Sequence, residues 1–124
     1  MVARKESPTQ DIKRAQRESL ILRYISQLFM QASLDDPRLQ GFFINRVKLS
    51  SDRGTCYIYF YNARGKEYFA EMLDVLKLYK PSMRKALANA LDSRYVPELI
   101  FTFDEQFEKQ QKIESLLETL KEKE

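Results

Sequence analysis

The sequence has no histidine in 124 residues. It therefore lacks the side chain that most often moves protons near pH 7, which is also the commonest metal ligand. The single cysteine, Cys56, excludes an internal disulfide and a thiolate metal site, and it fits a reducing cytoplasm. Ser50 and Ser51 have no histidine to activate them, so no Ser–His nucleophile exists. Glycine is scarce, and Gly41, Gly54 and Gly65 stand too far apart for a glycine-rich phosphate loop. No apolar run approaches about 18 residues, which leaves no candidate membrane helix. The polar start of the chain carries both signs of charge and lacks the apolar middle of a signal peptide. Together these absences predict a protein without catalytic activity, cofactor or metal.

What is present fits one domain. Hydrophobic residues make up 44% of the chain, enough for a modest core at this length. The formal net charge is +3, with 21 basic and 18 acidic residues. Residues 104–124 hold 4 Lys and 7 Asp or Glu, a net −3, so residues 1–103 carry 17 and 11, a net +6. A mildly basic body with an acidic-leaning tail suits a polyanionic partner, although ordinary surface charge would read the same way.

Hydrophobic spacing gives the elements. Residues 1–10 read as a flexible arm. A helix is predicted over 11–33, with Ile21, Tyr24, Ile25, Leu28, Phe29 and Ala32 at helical spacing. Asp35-Asp36-Pro37-Arg38 ends it, since proline cannot continue the ladder. A strand follows over 42–49, with Phe43, Val47 and Leu49 assigned to one face. Ser50-Ser51-Asp52-Arg53-Gly54 supplies turn chemistry. The next strand, 55–61, places Cys56, Ile58 and Phe60 on one face and Thr55, Tyr57, Tyr59 and Tyr61 on the other. The short connection makes these two strands an antiparallel hairpin.

A second helix is predicted over 66–78, with Phe69, Met72, Leu73 and Leu76 as its stripe. Pro81 then interrupts, and a third helix starts there at a new angle, with Met83, Ala86, Leu87 and Ala90 facing inward. Val96-Pro97 is an extended turn. Leu99, Phe101 and Phe103 alternate as a strand placed in or beside the 42–61 hairpin. Residues 104–124 form a partly helical, frayed tail with Ile113, Leu116, Leu117 and Leu120 on one side. The order α-β-β-α-kink-α-β defines an α+β domain over 11–103, its helices packed on one face of a three-stranded sheet.

Three constellations stand out. Lys77, Lys80, Arg84 and Lys85 surround Pro81 at a helix N-terminus, an arrangement that suits phosphate. A solvated polar face is the plain alternative. Tyr57, Tyr59 and Tyr61 face away from the core, and Arg46 and Lys48 occupy the matching parity of the neighbouring strand. Aromatics among cations can stack bases, yet tyrosine is also simply favoured in half-exposed strands. Arg4, Lys5, Lys13, Arg14 and Arg17 form an N-terminal basic cluster that could equally be the wet side of a helix.

Arg94-Tyr95-Val96-Pro97-Glu98-Leu99, followed by the strand and Asp104, resembles the C-terminal signature of ribosome-binding factor A. So do Asp36-Pro37-Arg38-Leu39 after the first helix, Val47-Lys48-Leu49-Ser50-Ser51-Asp52, Arg84, and Ile113 with Leu116 and Leu117. The resemblance spans about residues 17–117. It implies a KH-like fold of type II and binding to precursor small-subunit ribosomal RNA and free small subunits. It further implies a role in late processing and assembly that matters most in the cold. It implies a kink in place of the GxxG loop of ordinary KH domains; the triplet here is Tyr79-Lys80-Pro81, not the family's Ala-x-Gly, which keeps the kink and removes one N–H. The expected RNA-binding residues are Lys77, Lys80, Arg84, Lys85, Arg94, Arg46, Lys48, Tyr57 and Tyr59, in a cytoplasmic monomer with no membrane or small-molecule partner. The reading in another class is a protein-interaction adapter docking through the tyrosine face and the tail, with RNA incidental.

Overall fold

Ile21, Ile25 and Phe29 recur every four residues, and all three are buried, so one stripe of the first helix supplies a wall of the core. That helix, α1, runs Pro8–Asp35 in a computed structural model that describes residues 8–91 and 95–123. It starts three residues earlier than the stripe suggests, so Pro8, Thr9 and Gln10 belong to the helix and not to an arm. Proline is compatible with a first helical turn because its missing N–H would have no partner there. A 3₁₀ turn follows over Pro37–Leu39, and it buries Leu39.

β1 (Phe43–Leu49) pairs antiparallel with β2 (Thr55–Tyr61), and β2 pairs parallel with β3 (Glu98–Phe103). The sheet order is β1-β2-β3, which places β3 beside the hairpin with β2 central. Parallel pairing requires a crossover, which α2 (Lys66–Lys77) and α3 (Lys80–Ala90) provide. Cys56, Ile58 and Phe60 of β2 and Leu99, Phe101 and Phe103 of β3 face the same way and are buried. α1 covers them together with Phe69 and Leu76 of α2 and Met83 and Leu87 of α3.

One face assignment in β1 is corrected. The register runs Ile44↔Phe60 and then Arg46↔Tyr59, so Asn45 is an extra residue, a β-bulge. Side-chain parity flips across such an insertion. Phe43 therefore lies on the outer face, 43% exposed, while Ile44 is buried with Val47 and Leu49 on the inner side.

α2 and α3 are separated only by Leu78 and Tyr79. The N–H groups of these two residues bond back to the carbonyls of Val75 and Leu76 at 3.1 Å, tightening the last turn before Pro81 redirects the chain. α4 (Glu105–Glu122) is a regular helix where a frayed tail was expected. Its N-cap, Asp104, is buried, so the folded unit extends past residue 103. Phe107, in its first turn, sets its ring edge against Tyr61 and Phe43 on the outer side of the sheet.

Candidate nucleic-acid interface

With the inner parity spent on the core, the outer face of the sheet presents two rows. Lys48 lies opposite Tyr57, which lies beside Ile100; Arg46 lies opposite Tyr59, which lies beside Thr102. Tyr57 is 37% exposed and Ile100 41%. The bulge at Asn45 is what lets β1 keep Ile44 inward while Arg46 and Lys48 face outward. Tyr61 closes the row at one end, stacked on Phe103 and met edge-on by Phe107.

Arg46 is held. Its guanidinium lies 3.8 Å from the centre of the Tyr59 ring. Its Nε and Nη2 donate to the Asp104 carboxylate at 2.8 and 3.3 Å. Asn45 Nδ2 donates to the same carboxylate at 2.9 Å, and the Phe107 N–H does so at 3.1 Å as the helix cap. Burial alone would raise the Asp104 carboxyl, but the Arg46, Asn45 and Phe107 bonds outweigh it and hold the group below the usual carboxylate range. The guanidinium of Arg46 is raised in turn by this carboxylate. Asp104 thus ties α4 to the outer sheet face.

The kink cations divide into two pairs. Arg84 Nη1 donates to the Pro97 carbonyl at 2.9 Å and lies 3.7 Å from Glu98. Lys80 lies 3.9 Å from Glu98 and sits over the Phe101 ring at 5.5 Å. Both therefore lean back on the start of β3, and Arg84 fastens the Val96-Pro97 turn. Lys77 and Lys85 are exposed, with no ion pair among the described residues. Arg94 lies outside the described residues, as do Arg4 and Lys5. Of the remaining N-terminal cations, Lys13 is exposed and Arg14 pairs with Asp11 at 3.1 Å. Lys48, Tyr57, Arg46 and Tyr59 share one face; the kink cations belong to the helical layer and the β3 edge.

Two positioning devices escaped the sequence reading. The Tyr79 hydroxyl donates to Asp36 at 2.5 Å, and Arg38 donates to the same carboxylate through Nε, Nη2 and its backbone N–H at 2.9, 2.8 and 3.1 Å. Asp36-Pro37-Arg38 is thus more than a helix stop: it pins the α2–α3 kink to the end of α1. The Arg38 and Tyr79 bonds hold the Asp36 carboxyl far below its ordinary range. Glu18 of α1 accepts the Leu49 N–H at 2.7 Å, fixing the end of β1. Ser50 and Asp52 build the hairpin turn as expected: the Asp52 carboxylate accepts from Ser50 Oγ at 2.6 Å and from the Gly54 N–H at 2.9 Å. Only the motif aspartates hinted at the first device, because both partners lie far apart in the chain.

Comparison with known proteins places this geometry. Residues 13–117 match the family model described as ribosome-binding factor A. A ribosome-binding factor A of Prochlorococcus marinus (strain AS9601) is 30% identical over 112 residues, covering 89% of this chain and 86% of that protein. One of Chromohalobacter salexigens is 31% identical over 110 residues, 87% and 84% respectively. The crystal structure of ribosome-binding factor A from Thermus thermophilus superposes with a TM-score of 0.60 at 27% identity, covering 73% of this chain and 93% of that one. A homology model of the Thermus thermophilus factor, fitted into the cryo-EM map of its 30S complex, gives 0.50 at 28% identity, covering 72% and 88%. The α-β-β-α-α-β order with β2 and β3 parallel is KH-like of type II. With a family match over most of its length and this fold, the chain belongs to the ribosome-binding factor A family.

Proposed function

We propose that the protein binds precursor small-subunit ribosomal RNA and free small subunits and assists their late processing and assembly. It does so without catalysis or cofactor, as a cytoplasmic monomer whose loss matters most at low temperature. Family membership supports the target, since the Thermus thermophilus relative was fitted into a 30S complex. The observation that carries the RNA reading is the outer sheet face, where Lys48 and Arg46 alternate with Tyr57 and Tyr59. Tyrosine rings offer stacking to unpaired bases, Lys48 supplies a phosphate contact, and Arg46, paired to Asp104, braces the Tyr59 ring. Lys77 and Lys85 extend the phosphate path along the helical layer, with Lys80 and Arg84 near the β3 edge and Arg94 as further contacts.

Sedimentation of tagged protein through a sucrose gradient tests the target. Cofractionation with immature small subunits is expected. Recovery mainly in polysomes, or only at the top of the gradient, overturns the proposal. The adapter reading rests on the same face, since Tyr57 and Ile100 also offer apolar surface. RNA affinity that stays flat as salt rises favours that reading, because phosphate contacts release counterions and apolar contacts do not.

A further inference from the structure

Arg46 spends its charge on Asp104 and leaves a flat surface open. Its donors Nε and Nη2 lie along one edge of the guanidinium, and the Asp104 carboxylate takes both. That carboxylate is 1% exposed and is also held by Asn45 and the Phe107 N–H, so it has no room to swing away. The central carbon of the guanidinium lies 3.8 Å from the Tyr59 ring centre, the contact distance of one flat group laid on another. The Arg46 side chain is nonetheless 40% exposed. With one edge and one plane covered, what is left is the opposite plane and the Nη1 end. Nη1 has no hydrogen-bond partner among the described residues.

These constraints choose between ligands. A phosphate at Arg46 would meet a guanidinium already neutralised by Asp104, whose carboxylate occupies the fork that grips anions. Lys48 is exposed and has no ion pair among the described residues, which makes it the better phosphate contact. An unpaired base is flat and uncharged. Laid on the open plane of Arg46, it would cover that surface and leave the Asp104 bonds intact, and guanidinium planes are among the surfaces on which proteins stack unpaired bases. Tyr59 is half-buried with Arg46 across its ring, so it backs the guanidinium more than it faces a ligand. A side chain fixed in this way has little rotamer freedom left to lose when a base lands on it.

We propose that the open plane of Arg46 is a stacking platform for one unpaired base, in the layered order base, guanidinium, Tyr59 ring, beside a second base on Tyr57. The proposal rests on the RNA reading above and names, within it, a base contact at a residue whose charge alone suggests phosphate.

The test measures fluorescence anisotropy of the full chain with two probes. One is oligoadenylate; the other is a strand of the same length and charge with every base removed. Arg46→Lys keeps a charge and a donor for Asp104 but has no plane. Arg46→Gln keeps a flat end group and a donor but has no charge. Both should leave circular dichroism unchanged, because Asp104 keeps a partner in each. Wild type should bind oligoadenylate more tightly than the abasic strand. Arg46→Lys should weaken oligoadenylate about tenfold, with the log–log salt slope and abasic-strand binding unchanged, and Arg46→Gln should lose less. A phosphate contact gives the opposite order, with Arg46→Gln the weaker variant, equal losses on both strands and a shallower slope; that result overturns the platform. Oligoadenylate affinity untouched by Arg46→Lys overturns it as well, as does wild type that binds the two strands equally, and each of these leaves RNA binding in place. Wild type that binds neither strand overturns the RNA reading and the platform together.

Discussion

Asp104 ends a strand, starts a helix and neutralises an arginine, although it is only 1% exposed. A buried carboxylate is tolerable there because four donors reach it. Asp104→Ala removes a cap worth about 1 kcal/mol and charge-assisted bonds worth roughly 1.5–3. With the Arg46 side chain 40% exposed and able to recover water, we expect a loss of about 2–3 kcal/mol in urea denaturation. A loss below about 0.5 would mean the network contributes nothing. The carboxyl is depressed in the folded state, so its contribution is complete above the unfolded value near 4 and is lost as pH falls through the folded one. Stability should therefore fall as pH drops below about 4, and Asp104→Asn should flatten part of that fall. On the outer face, Tyr57→Ala should weaken single-stranded RNA by about 1–3 kcal/mol if its ring stacks a base. Fluorescence anisotropy showing unchanged affinity would remove Tyr57 from the site.

β3 shows what an element gains from its neighbours. Val96-Pro97 sets its entry, Arg84 ties the Pro97 carbonyl, and the Phe101 ring packs on Phe60 at 4.9 Å. Phe101→Ala should cost about 3–5 kcal/mol, and an unchanged melting temperature would contradict the packing. Arg84→Glu is not a silent surface change. It removes the bond to Pro97 and sets a second carboxylate near Glu98, so thermal stability should drop along with any effect on RNA. Arg84→Ala controls for this by removing the bond without the repulsion.

Over the whole molecule, the cations available to RNA are fewer than their number near Pro81 suggests. Lys48, Lys77 and Lys85 are exposed, while Glu98 competes for Lys80 and Arg84. Three phosphate contacts give a log–log salt slope of about −2 for single-stranded RNA, at roughly −0.7 each. Glu98→Gln should release Lys80 and remove the charge facing Arg84, which stays bonded to the Pro97 carbonyl, so binding should tighten and the slope steepen by about one contact. A slope and affinity untouched by Glu98→Gln would exclude those two cations from the interface.

The sequence alone determined what depends on neighbours a few residues away. The α1 stripe, the two faces of β2, the alternation of β3, the hairpin turn and the break at Pro81 were all legible, because helical and strand periodicity are local. The tyrosine face with Lys48 and Arg46 was legible for the same reason. Tertiary structure decided the rest. The Asn45 bulge inverts Phe43 and Ile44 because Ile44 fills the core opposite Phe60, and apolar letters on both sides of the insertion concealed it. Arg46 meets Asp104 across 58 residues and Tyr79 meets Asp36 across 43, distances over which no pattern in the chain reports a contact. The sequence could show that Ile113, Leu116, Leu117 and Leu120 share a side; only the Asp104 cap and the Phe107 contact, by fixing the rotation of α4, decided that this side faces solvent.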